Sequence, residues 1–175
     1  MADLVTDLTA TIRDIPDFPK PGIIFKDITP ILHDPELFER VVAHFGERFA
    51  GGRIDAIVGM ESRGFLFGAP LAIAMGLPFV PARKPGKLPY ESIGCEYALE
   101  YGTARLEMHV DAVKEGQRVL VVDDLLATGG TANATGKLVE QLGGVVAGYA
   151  FVIELGFLDG RKALGDTPVE SILIY

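Results

Sequence analysis

The residues best suited to chemistry lie in one run, Val119-Leu-Val-Val-Asp-Asp-Leu-Leu-Ala-Thr-Gly-Gly-Thr131. Four apolar residues lead into Asp123 and Asp124, and adjacent carboxylates cannot both be buried without partners. At the carboxyl end of a parallel strand such a pair stands where α/β folds bind ligands. Carboxylate oxygens there suit the vicinal hydroxyls of a ribose, each of which donates a hydrogen bond. Ala127, Thr128, Gly129, Gly130 and Thr131 come next, offering backbone N–H groups and hydroxyls at a helix N-terminus, a cradle for a phosphate monoester. A diol acceptor beside a phosphate cradle describes a ribose 5-phosphate. The plainer reading is an acidic strand end and a glycine turn that merely caps the helix; the whole run together favours the ligand.

Other phosphate and acyl-transfer signatures fail. No lysine follows these glycines until Lys137, so the run is not a G-x-x-x-x-G-K-[ST] loop, and no G-x-G-x-x-G supports a dinucleotide. Gly59-Met-Glu-Ser62-Arg-Gly64 has one residue too many for a hydrolase elbow. His33, His44 and His109 are scattered. Cations are scarcer than acids, with Lys+Arg 16 against Asp+Glu 24 and a formal charge of −8, which argues against nucleic acid or an anionic membrane as partner. Yet Arg63, Arg83, Lys84 and Lys87 fall in two turn-like segments, where they serve either as a solvated surface or as ligands for phosphate oxygens. The single cysteine, Cys95, excludes an internal disulfide and a thiolate metal cluster, and a cytoplasmic protein is expected.

Elements that must position these groups are legible from periodicity. Leu4, Leu8, Ile12 and Ile15 predict a short opening helix, and Pro16, Pro19, Pro21 and Gly22 an extended or turning segment. Asp34-Pro35 begins a helix whose apolar face runs from Leu37 to Phe49, with Gly51-Gly52 ending it. Strands are predicted over 54–60, from Phe79, over 118–124, 145–153 and 169–174, with helices after 64 and after the glycine-rich loop. Ile93, Cys95, Tyr97, Leu99 and Tyr101 alternate, as do Leu106, Met108 and Val110, and Gly102 between them predicts a hairpin. The uncharged stretch between Arg63 and Arg83 is broken by Pro70, Pro78 and Pro81, so it reads as helix, turn and core strand rather than a membrane span. The N-terminus lacks the features of a signal peptide. Strands alternating with helices imply an α/β fold, a mainly parallel sheet covered on both faces, with residues 1–175 as a single domain.

Residues 119–132 resemble the phosphoribosyl pyrophosphate motif of type I phosphoribosyltransferases, and three further stretches narrow the resemblance to the adenine phosphoribosyltransferase family. Phe18-Pro-Lys-Pro-Gly-Ile-Ile-Phe-Lys-Asp-Ile-Thr-Pro30 is similar to its base-recognising segment, Glu61-Ser-Arg-Gly-Phe65 to its pyrophosphate loop, and Arg83-Lys-Pro-Gly-Lys-Leu-Pro89 to its mobile active-site loop. Leu99-Glu-Tyr-Gly102 resembles the strand that carries the family's catalytic glutamate. Lys26 stands where arginine is common, and Glu61 where some members have aspartate.

The resemblance implies a type I phosphoribosyltransferase fold with an N-terminal base-recognising hood over about residues 1–33. It implies transfer of phosphoribosyl from phosphoribosyl pyrophosphate to adenine, giving AMP and pyrophosphate. Glu61, Ser62, Arg63, Arg83, Lys84 and Lys87 would then hold pyrophosphate, with Arg63 also catalytic. Ile24, Phe25 and Lys26 would meet adenine, Glu100 would move the purine proton, and Tyr101 would close over the ribose. Phe25 and Tyr101 serve equally as core residues, and Glu100 equally as the outward residue of a strand. A Mg²⁺ carried by substrate oxygens and water, no dedicated protein metal ligand, a cis Glu61–Ser62 peptide and a homodimer with Arg83 near the interface are further expectations. A transferase for another base, or a non-catalytic phosphoribosyl pyrophosphate-binding regulator, remains the alternative, since residues 119–132 do not distinguish them.

Overall fold

The computed structural model describes residues 3–98 and 103–175. The chain opens with helix α1 (Leu4–Thr11), a two-stranded antiparallel ribbon of β1 (Arg13–Pro16) and β2 (Ile24–Asp27), and the short helix α2 (Thr29–His33). The opening helix stops sooner than its periodicity predicts. Ile15 lies in β1 opposite Phe25 of β2, because Pro16 cannot continue a helix and a strand partner is at hand.

Asp34 then caps helix α3 (Pro35–Phe49), its carboxylate accepting the N–H of Leu37 at 3.0 Å. The central sheet comes next, built from β3 (Ala56–Met60), β4 (Phe79–Ala82), β7 (Arg118–Leu126), β8 (Val145–Glu154) and β9 (Val169–Ile174). Its order is β4-β3-β7-β8-β9 and every pairing is parallel. Helix α4 (Gly64–Met75) connects β3 to β4, and α5 (Gly130–Gln141) connects β7 to β8. Between β4 and β7 the strands β5 (Ser92–Ala98) and β6 (Thr103–His109) pair antiparallel as a hairpin, and Glu107 of β6 also exchanges two backbone hydrogen bonds, of 2.9 and 2.7 Å, with Arg83 just beyond β4. The Gly102 turn lies outside the described residues.

Strand alternation sorts the core into two layers. Ile57, Leu120, Val122, Ala150 and Val152 face Leu8, Ile31, Val41, Phe45, Phe67 and Leu71, joining α1, α2, α3 and α4 in one cluster. Val58, Val119, Val121 and Phe151 face the other way, onto Ala132, Leu138 and Val139 of α5 and onto Leu106 and Met108 of β6. Both faces of β7 are therefore buried, which is why its sequence reads as a continuous apolar run. Such a strand is held rigidly, and its carboxyl end is a fixed platform.

Candidate active site

Three strands of the sheet end on the same edge, and the chemistry sits at their carboxyl ends and in the loops beyond. β3 and β4 are adjacent, with Met60 beside Ala82, so Glu61-Ser62-Arg63 and Arg83-Lys84 emerge side by side. β7, on the other flank of β3, delivers Asp123 and Asp124 near its own end. The Glu61–Ser62 peptide is cis.

These groups neutralise one another. Arg63 Nε donates to Asp124 Oδ2 at 2.5 Å, with the Asp124 side chain 5% exposed and that of Arg63 44%. Glu61 Oε2 accepts from Arg83 Nε at 3.2 Å and from the Lys84 N–H at 2.8 Å. Burial would raise the Glu61 pKa, but the Lys84 N–H and the Arg83 guanidinium outweigh it and the net shift is downward. Arg83 also stacks over the ring of Phe65 and donates through a terminal nitrogen to the Lys87 carbonyl at 3.2 Å, while Gly86 N–H donates to Glu107 at 3.1 Å. The first half of the loop after β4 is thus tied to Glu61 and to Glu107.

Asp123 differs from its neighbour. Its Oδ1 accepts the backbone N–H of Asp124 at 2.9 Å, and no cation touches it among the described residues. Burial first, and the charge of Asp124 second, push its pKa well up. Gly64 permits this crowding: a Cβ there would run into the carbonyl of Val122 and come within 3.0 Å of Asp123 Oδ1, so only a bare backbone lets α4 start against the end of β7.

Two cavities meet at Asp123. One, of about 250 Å³, is lined by Glu61, Ser62, Arg63, Lys84, Asp123 and Asp124. The other, of about 70 Å³, lies among Asp123, Ala127, Thr128, Gly129, Gly130 and Thr131. Gly129 begins α5 with φ 83 and no side-chain cap, leaving the first N–H groups of the helix open toward the smaller cavity. A Cβ on Gly129 would strike the carbonyl of Gly160 and the Cβ of Ala163. Asn133 donates to the Ala163 carbonyl at 2.6 Å, so the 160–164 segment braces the cradle from behind.

The hood supplies the third part. Phe25 and Lys26 point to opposite faces of β2. Phe25 lies under the Arg63 guanidinium, 5.5 Å from Cζ to ring centroid, with Phe18 edge-on at 5.2 Å. Lys26 turns away, bonding to Asp14 at 2.6 Å and lying 3.8 Å over the ring of Tyr175. Ile24 is exposed. The structure therefore brings Glu61, Ser62, Arg63, Lys84, Asp123, Asp124 and the Ala127–Thr131 loop together, with Arg83 and Phe25 adjoining. The Lys87 side chain stands exposed on its loop, outside the lining of the larger cavity, and Glu100 and Tyr101 lie outside the described residues. Sequence reasoning missed Glu107, Asp14, Tyr175 and Ala163, whose roles arise from pairings between distant segments. Gly64, next to the pyrophosphate-loop stretch, carried a signal in its small size.

Comparison with known proteins agrees with this geometry. Residues 30–164 match the model of the phosphoribosyl transferase domain. The chain is 61% identical over 170 residues to an adenine phosphoribosyltransferase of Synechococcus, covering 97% of this chain and 99% of that one. The crystal structure of an adenine phosphoribosyltransferase from Thermoanaerobacter pseudethanolicus superposes with a TM-score of 0.95 at 54% identity, covering 98% of this chain and 99% of the other. That of the Saccharomyces cerevisiae enzyme, complexed with an imino-altritol bisphosphate and adenine, gives 0.93 at 45% identity over 99% and 100% of the two chains.

Proposed function

Because the chain belongs to the adenine phosphoribosyltransferase family, we propose that it transfers the 5-phosphoribosyl group of phosphoribosyl pyrophosphate to adenine, yielding AMP and pyrophosphate. The observation that carries the assignment of parts is that Asp123 borders both cavities. A ribose held at Asp123 and Asp124 reaches the α5 cradle with its 5-phosphate and the Glu61–Arg63 loop with its pyrophosphate.

The reaction is a consequence of that placement. As pyrophosphate leaves C1, positive charge builds on the ribose ring and negative charge on the departing oxygens. Arg63, Arg83 and Lys84 neutralise the latter and hold the group in line, while Lys87 adds a movable charge from the loop. Ile24, Phe25 and Lys26 meet the purine, Phe25 by stacking and the backbone by hydrogen bonds. Glu100 takes the proton that the attacking base must shed, and Tyr101 closes the ribose side; these two roles rest on the resemblance of Leu99-Glu-Tyr-Gly102. The oxygen donors around the larger cavity, Asp123, Asp124 and Ser62, fit Mg²⁺ carried by substrate oxygens and water. When bound, the ion would supply charge neutralisation to the pyrophosphate.

Residues 1–175 act as one domain: Leu8, Ile12, Ile28 and Ile31 of the hood share a core cluster with Ile57 and Leu120 of the sheet. A homodimer is supported by α4, an apolar helix whose outer face leaves Ile73 83% and Leu66 40% exposed. Among the described residues no helix is long and apolar enough to cross a membrane. A cytoplasmic location suits the free thiol of Cys95.

The test is product formation from phosphoribosyl pyrophosphate and Mg²⁺ with adenine, hypoxanthine or guanine. Adenine presents an amine and an unprotonated N1, which the other two reverse. Two mismatches of about 1–3 kcal/mol each should exclude them. Comparable turnover of hypoxanthine would overturn the reading.

A further inference from the structure

We propose that the opposite end of the central sheet carries a second binding site, for a small phosphorylated ligand with a flat apolar moiety, of the size of a nucleoside monophosphate. A cavity of about 370 Å³ opens there among Arg48, Arg53 and Arg118. Ile54 lies just before β3, Arg118 is the first residue of β7 and Val169 the first of β9. The cavity thus lies at the amino ends of the strands whose carboxyl ends hold the active site, and it shares no residue with that site.

The three arginines are oriented but not consumed. Arg48 Nε donates to Glu170 at 2.8 Å, Arg53 Nε to Asp55 at 3.0 Å, and Arg118 Nε to the Arg53 carbonyl at 3.0 Å. Each is fixed through Nε, and the terminal nitrogens make no further hydrogen bonds among the described residues. Three guanidiniums therefore stand at the rim of the cavity with donors to spare, an arrangement suited to phosphate oxygens. The charges do not cancel: two carboxylates stand against three guanidiniums, and His44 shares Glu170 at 2.9 Å. In a chain of net charge −8, this is a local reversal of sign that draws anions to one spot.

The floor says what else the ligand carries. Phe49, Ile54 and Val169 line it, and Phe49 is seated on bare backbone, since a Cβ on Gly148 would come within 2.6 Å of its ring. An inorganic phosphate would engage the forks but leave this floor and most of the volume unfilled. A cavity of this size, apolar below and cationic at the rim, matches a small organic anion. The cavity offers an apolar surface rather than the adenine-reading backbone of the hood, so base identity should matter little.

Uridine 5′-monophosphate separates the sites, because the hood is proposed to read adenine. Titrated into the isotopically labelled protein, it should shift the amide signals of residues 48–54, 118 and 169–170 with submillimolar saturation. Inorganic phosphate should move the same signals only at far higher concentration. Arg48→Gln and Arg118→Gln should each raise the apparent Kd about tenfold or more while leaving AMP formation from saturating substrates unchanged. Shifts confined to residues 123–131, or equal responses to phosphate and nucleotide, would overturn the proposal. Should a variant fail to fold, the map on the unaltered protein decides alone: amides around the arginines that stay still at millimolar nucleotide refute the site.

Discussion

Replacing Asp123 and Asp124 one at a time by Asn should move stability in opposite directions while harming activity in both cases. Asp124 accepts a charge-assisted bond from Arg63 at 2.5 Å. Such bonds contribute about 1.5–3 kcal/mol when shielded, but Arg63 is 44% exposed and water screens it, so Asp124→Asn should cost about 1 kcal/mol. Asp123 makes no ion pair among the described residues, the Arg63 charge only partly offsetting burial and the charge of Asp124; its bond from the Asp124 N–H at 2.9 Å is one that an amide oxygen accepts as well. Asp123→Asn removes a buried charge repelled by its neighbour and should gain about 1 kcal/mol. For a chain of this length each change corresponds to about 2–4 °C in Tm. The pH dependence has a definite sign. A carboxyl whose folded pKa lies above its unfolded value favours folding below the unfolded pKa, and that contribution fades as pH rises through the folded value. The Asp123→Asn protein should lose this component, so its advantage over the parent should grow from pH 4 toward neutrality. Both variants should lower kcat/KM for phosphoribosyl pyrophosphate by about tenfold or more, from one lost charged acceptor. Thermal melts across pH and initial-rate kinetics measure all of this. An Asp123→Asn protein that melts lower than its parent at pH 7, or keeps near-normal kcat/KM, would refute the reasoning.

The same geometry fixes the outcome of other substitutions. Gly129→Ala places a Cβ against Gly160 and Ala163 at a positive φ and should cost about 1–3 kcal/mol, together with a raised KM for phosphoribosyl pyrophosphate; an unchanged melt and KM would remove the cradle assignment. Phe25→Ala should raise the KM for adenine by about tenfold through lost stacking, whereas Lys26→Ala, whose side chain faces Asp14 and Tyr175, should lower Tm without altering the choice among bases. Glu61→Gln removes the carboxylate that holds Arg83, so it should release that arginine and change the KM for phosphoribosyl pyrophosphate more than that for adenine. Glu154 accepts three bonds of 2.7–2.9 Å from Arg161, which lower its pKa. Its contribution is present above the unfolded value and lost as pH falls through the folded one, so Glu154→Gln should flatten the fall in Tm below about pH 4.5.

The β7–loop–α5 unit could be read directly because each part announces itself locally: an apolar run for a strand covered on both faces, paired acids at its end, glycines where the helix begins. The same holds for α3, with its Asp34-Pro35 start. What could not be read depends on register between remote segments. That Arg63 meets Asp124, or Glu61 meets Arg83, is a result of β3 lying between β4 and β7, which no periodicity encodes. Ile15 fits an extrapolated helical stripe as well as a strand, and only its pairing with Phe25 decides. The five-residue α2 is too short to show a repeat at all.

One contact bears on the order in which the proposed substrates would bind. Arg63 is bound to Asp124 and lies over the face of Phe25, the surface proposed to stack on the purine. Adenine is uncharged and has nothing with which to draw a guanidinium off a carboxylate. A donor bearing pyrophosphate does, and in claiming Arg63 it would uncover the aromatic face. On the proposed function the two substrates should therefore bind in order, donor before base, and initial-rate or binding measurements that find adenine bound tightly without the donor would refute it.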